Sequence, residues 1–187
     1  MAAVAAGLEQ LSGVRVEAGA GAGGTELRVA LLGMDGEFAL VLRLERAGGR
    51  AALRGARLEP VGAAAVEDLV ACAVALDDAA LLVQETRGRL RAVAARRAEL
   101  AALGRRHLLF DQGAAVRVTF PSGAMAALET GPDYPLGAGG VRLAALDSMG
   151  LFADSLEDMQ RLIAPCTTLT QAVDLLAAAL LNKNKRK

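Results

Sequence analysis

The sequence predicts an α+β protein built of two similar units, each a small antiparallel sheet packed against helices. Three observations predict it. Apolar residues alternate with period two in two separate stretches, 14–60 and 108–146, as half-buried strands require. Between those stretches, over 63–103, and again after 155, they recur every three or four residues, which is the period of a helix. Apolar residues make up 53% of the 187-residue chain, enough for one large core or two smaller ones.

The elements follow in order. A short helical segment around Leu8 and Leu11 opens the chain, and Val14 and Val16 then alternate with Arg15 and Glu17 as a strand. The run GAGAGG at 19–24 reads as a flexible loop. After it Leu27, Val29 and Leu31 alternate, and beyond the turn residues Met34, Asp35 and Gly36 so do Phe38, Leu40, Leu42 and Leu44. Two such runs on either side of an Asp-Gly pair predict a β-hairpin. A fourth strand, LRGARLEP, ends at Pro60.

The period then lengthens. Val66, Leu69, Ala73, Leu76, Ala80 and Val83, followed by Leu90, Val93, Leu100 and Leu103, mark two helices meeting near Gly88, where glycine costs about 1 kcal/mol relative to alanine. The strands of the second region are HLLFD, AVRVTFP, GAMAALETG and VRLAAL, with Val116, Val118 and Phe120 sharing one face. Before the last strand, Pro132 and Pro135 bracket Tyr134, and neither proline suits a central strand because it lacks an N–H. Two helices close the chain. The first has capping residues at 155–158 and is ended by Pro165; the second, capped by Thr168 and Gln171, carries Leu169, Val173, Leu176 and Leu180. The order of elements in the first half repeats in the second, so the units are expected at 1–86 and 87–187.

The charge narrows the function classes. The 21 basic and 21 acidic side chains cancel, and the arginines are scattered, so the broad positive field of a nucleic-acid binder is not expected. Only the tail, with Lys183, Lys185, Arg186 and Lys187, is basic enough to suggest a nucleic-acid contact or an import patch; the alternative is a favourable helix C-terminus. Cys72 and Cys166 belong to no C-x-x-C pair and are expected to be buried small hydrophobes on helices in a reducing compartment. The opening residues have no basic region ahead of the apolar ones, and the apolar stretch at 63–83 is broken by Glu67, Asp68, Asp77 and Asp78. A soluble chain without a secretory signal is expected.

Little points to catalysis. His107 is the one histidine and has no Cys, Ser or carboxylate at a spacing that suggests a triad. Two separate cysteines and one histidine make a poor zinc set. The glycine run does satisfy G-x-G-x-x-G after a strand, but TELRVALL follows with the period of a strand, whereas a dinucleotide site needs a helix there. A turn is the favoured reading, and a small nucleotide-binding enzyme is kept as an alternative. Asp77-Asp78 and Glu157-Asp158 are adjacent on helices, a poor geometry for a carboxylate dyad. No catalytic, metal or cofactor residue is assigned, and no cofactor is expected.

From Val116 onward the chain resembles the RWD family, whose sheet turns through a Tyr-Pro loop before its last strand; Tyr134-Pro135 matches the core of that loop. The family pattern has a further proline shortly afterwards, where this chain has Leu136 and then Gly137. With the similar order of the first half, the whole resembles the tandem RWD module of the KNL1/Spc105 family of kinetochore scaffolds. The resemblance implies a non-catalytic docking module that binds Mis12-complex subunits through a short peptide segment, in the nucleus at the kinetochore. Another RWD adaptor, of the inner kinetochore or the ubiquitin pathway, is the alternative. In this reading Val116, Val118 and Phe120 belong to the second sheet, Tyr134 and Pro135 anchor its turn, and Leu169, Val173 and Leu176 cover one side.

Overall fold

The computed structural model describes residues 2–21, 24–33, 36–48, 50–131, 134–135, 140–147 and 156–184. The chain is α+β, with two four-stranded antiparallel sheets and helices packed on one face of each. Its two compact units are Met1–Arg91 and Ala92–Lys187. The sequence places the division at 86/87; the units divide slightly later, within a helix.

In the first unit α1 (Ala2–Glu9) precedes β1 (Val14–Gly21), β2 (Gly24–Leu31), β3 (Phe38–Ala47) and β4 (Arg50–Glu59), which pair in that order. The alternation does its expected work: Leu27, Val29, Leu40, Leu42 and Leu44 are buried with Leu8, while Arg43 and Glu45 face solvent. Two helices follow, α2 (Glu67–Leu76) and α3 (Ala79–Gly104), and Ala73, Leu82, Val83 and Leu90 close the core.

Two expectations need correction here. The glycine run is not a loop throughout: Gly19, Ala20 and Gly21 are paired with Glu26, Thr25 and Gly24 in a continuing β1–β2 ladder. Ladder hydrogen bonds are made by the backbone, so a register set by Val14 to Glu17 carries on through glycine and alanine. Ala22, Gly23, Met34 and Asp35 lie outside the described residues.

The helices also do not meet at Gly88. The break lies at Asp77-Asp78, and α3 runs through Gly88 without interruption. Asp77 adopts the left-handed conformation (φ 51°), and its carboxylate accepts the Leu53 N–H at 2.7 Å. Asp78 Oδ1 accepts the Leu81 N–H at 2.9 Å and caps α3. A glycine weakens a helix but does not end it when buried residues flank it, as Val83 and Leu90 do here.

In the second unit β5 (Leu108–Asp111), β6 (Ala115–Thr119), β7 (Met125–Thr130) and β8 (Val141–Asp147) form the sheet in that order. The helices α4 (Leu156–Ile163) and α5 (Leu169–Asn184) follow it. Val116, Val118 and Leu128 pack with Leu103, Ile163, Leu169, Val173, Leu176 and Leu180 in one core. Cys166 is buried, but in the turn between α4 and α5, and Cys72 lies exposed on α2, because its position on that helix faces away from the sheet. Ser155 and residues 185–187 lie outside the described residues; α5 continues through Lys183 to Asn184.

Candidate functional site

The structure places every sequence-selected residue in the interior of the second unit, apart from half-buried Pro135. Val116, Val118, Leu169, Val173 and Leu176 have no exposure, and Phe120 and Tyr134 are 3% exposed. They are core residues of one sheet-and-helix unit, so none of them can meet a partner across the surface.

A part-buried polar cluster lies at the start of α5. Tyr134, joined to Pro135 by a cis peptide bond, donates its phenol to Glu99 Oε2 and accepts the Leu169 N–H at 2.6 Å. Glu99 Oε1 accepts both the N–H and the hydroxyl of Thr170, each at 2.8 Å. Thr168 Oγ1 accepts the Gln171 N–H at 3.2 Å, and Gln171 Oε1 reaches back to the Thr167 N–H at 3.0 Å. The first N–H groups of a helix have no partner within it. Here those of Leu169, Thr170 and Gln171 go to Tyr134, Glu99 and Thr168 in turn. Burial, aided by the adjacent Glu99 carboxylate, pushes the Tyr134 phenol well above its ordinary pKa. The cluster's hydrogen-bonding capacity is used to fasten α5 to α3.

Asp111 is engaged in a similar way, whereas His107 is not. Arg96 holds Asp111 through two hydrogen bonds, at 3.0 and 2.8 Å, and keeps that carboxyl below the usual range. His107 stands edge-on to Phe120, with ring centroids 5.7 Å apart, at a cavity of about 90 Å3 lined also by Pro121, Leu180 and Leu181. Its Nδ1 is buried without a hydrogen-bond partner. Among the described residues no group of three or more His, Cys, Asp or Glu could hold a metal ion. No described helix is long and apolar enough to cross a membrane. The glycine run leads into strand β2, so it does not present a helix N-terminus to a pyrophosphate.

The outward face of the second sheet is different in kind. β5 and β8 are its edges. At β8 the Leu143 N–H is taken by Gln160 Oε1 of α4 at 2.6 Å. Among the described residues, the backbone of β5 is hydrogen-bonded only to β6. Leu109 of β5 points into the core, which turns Leu108 and Phe110 outward, 75% and 64% exposed. Cross-strand pairing sets Leu108 beside Thr119 and then Met125, itself 46% exposed, and sets Phe110 beside Arg117 and then Ala127. The run LLF is apolar throughout, so this arrangement appears only once the β5–β6 register sets it opposite Thr119, Val118 and Arg117.

Neither a family model, a curated protein nor a solved structure matches this chain.

Proposed function

We propose that this chain is a non-catalytic protein-interaction module whose second unit receives a partner segment along strand β5. The observation that carries the reading is the exposed pair Leu108 and Phe110 on a strand edge that no other described element covers. Unpaired N–H and C=O groups on an edge accept one more strand, and apolar side chains beside it supply the affinity. Fully covering a Leu or Phe side chain is worth about 1.5–3 kcal/mol. In both units a helix, a four-stranded meander and further helices follow in the same order, which supports the tandem RWD reading. On that reading the partner is the Mis12 complex and the place of action is the kinetochore.

The test is biolayer interferometry of the full chain against purified Mis12 complex. Saturable binding is expected, weakened at least about tenfold by Phe110→Asp, the scale of a central aromatic contact. Phe110 is largely exposed, so circular dichroism of the variant should be unchanged. Absence of binding by the wild-type chain removes the kinetochore assignment. Binding indifferent to Phe110→Asp removes β5 as the docking strand.

A further inference from the structure

We infer that the segment docking on the second sheet is acidic as well as apolar, and that Arg117 is the residue that selects its charge. The inference rests on the docking reading above and adds the chemistry of the partner.

The register makes the surface explicit. Leu108, Thr119 and Met125 form one row across β5, β6 and β7, and Phe110, Arg117 and Ala127 form the next. Neighbouring strands lie about 4.8 Å apart, and same-face residues along a strand about 6.7 Å apart. Arg117 therefore stands between Phe110 and Ala127, with Leu108 and Met125 on the diagonals. In the row beyond, Glu129 faces Arg142, and the two form an ion pair. This is an apolar patch with one cation at its centre, the Glu129–Arg142 pair at one part of its rim and Asp147, opposite Met125, at another.

The charges of this face are not all answered within it: Asp147 of β8, opposite Met125, already has an interaction. Asp111, the acid of β5, is held by Arg96, and Glu129 is held by Arg142. Exposed Arg117 has no hydrogen-bond or ion-pair partner among the described residues. Neither has Arg105, in the turn that leads into β5. On the comparable face of the first sheet most charges are answered by neighbours, although exposed Arg15 forms no hydrogen bond or ion pair among the described residues. There Arg28 pairs with Glu59, and Arg57 pairs with both Glu26 and Glu59. Those four side chains neutralise one another over buried Val41. On the second sheet Asp111, Glu129 and Asp147 are thus already engaged while Arg117, at the centre of the patch, is not, so the complement is a segment with carboxylates among its apolar residues. Arginine and aromatic side chains together are also the residue types that carry most binding energy at protein interfaces. An added strand beside β5 puts a carboxylate within reach of Arg117 across the Phe110 ring, since the guanidinium sits at the end of a long flexible stem.

The experiment is panning of a phage-displayed random 16-residue peptide library on the full chain. Anisotropy titrations of the enriched peptides against wild type, Arg117→Glu and Phe110→Asp follow. Enriched peptides are expected to carry Asp or Glu among alternating apolar residues. Their affinity should fall about fivefold with Arg117→Glu, the scale of an exposed ion pair, and panning on that variant should select basic peptides instead. Peptides that need Phe110 yet are neutral or basic, and are indifferent to Arg117→Glu, overturn this inference while leaving the docking reading intact. No enrichment, or peptides indifferent to both variants, overturns both. A dimer seen by sedimentation and abolished by Phe110→Asp would give the surface to a second copy of the chain and overturn the acidic partner.

Discussion

Glu99 offers the sharpest test of how the second unit is held together. Its carboxylate accepts three hydrogen bonds, from the Tyr134 phenol, the Thr170 N–H and the Thr170 hydroxyl. Glu99→Ala leaves the phenol and the N–H without their charged acceptor. It also removes a negative charge from the N-terminus of α5, which is worth about 0.3–1 kcal/mol. Hydrogen bonds to a charged group contribute about 1.5–3 kcal/mol each, and partial water access at Glu99 brings the sum down. The expected loss is about 2–4 kcal/mol. Glu99→Gln keeps one oxygen for Thr170 and should cost only about 1 kcal/mol. The chain has one tyrosine and no tryptophan, so tyrosine fluorescence reports on the second unit alone, and on the ring at the centre of this cluster. With a urea m-value of about 1.5 kcal/mol/M, a loss of 3 kcal/mol lowers the midpoint by about 2 M. A midpoint for Glu99→Ala within about 0.3 M of wild type would refute the assignment of this cluster as the fastening of α5. A glutamine variant as damaging as the alanine one would show that charge, rather than the placement of the acceptor, carries the effect.

Three further outcomes follow from the same geometry. Gly88 lies inside α3 with nothing within 4 Å of where a Cβ would stand, so Gly88→Ala should stabilise the chain by about 0.5–1 kcal/mol in thermal unfolding. Asp78→Ala should cost about 0.5–2 kcal/mol by loss of the α3 cap, and Asp77→Ala about 1–3 kcal/mol by stranding the Leu53 N–H; Asp77→Asn, which keeps the acceptor, should cost less than Asp77→Ala in the same urea titration. The Tyr134 phenol should stay protonated in the folded chain well past pH 10, where an unfolded tyrosine ionises, as read by absorbance at about 295 nm. Its folded pKa is raised, so its contribution to stability is complete below about pH 10 and is lost as pH climbs towards the folded value. A phenolate signal rising at pH 10 with the chain still folded would contradict that.

The two-sheet architecture was legible in the linear order of residues because a strand declares its buried face by alternation. Leu40, Leu42 and Leu44, and again Val116 and Val118, do so without reference to any other segment. The terminal helix was legible for a similar reason: Thr168 and Gln171 mark its start, and Leu169, Val173, Leu176 and Leu180 mark its inward stripe. Local signals misled where a tertiary contact outweighed them. Gly88 looked like a helix break, yet the break belongs to Asp77, whose left-handed backbone is secured by a strand residue, Leu53, distant in sequence. Cys72 and Cys166 were read as alike, and only packing separated an exposed thiol from a buried one.

The candidate docking surface lay further out of reach. Composition and period determined by themselves that Val116, Val118 and Phe120 would be interior, because burial follows from apolarity and spacing. Which apolar residues are left outside is a different question. Leu108, Phe110 and Met125 have the same chemistry as their buried neighbours, and only the pairing of β5, β6 and β7 gathers them around Arg117. Periodicity assigns a residue to a face, but strand register decides which faces adjoin and which charges go unanswered. The tertiary structure therefore settled the surface, as the sequence had settled the core.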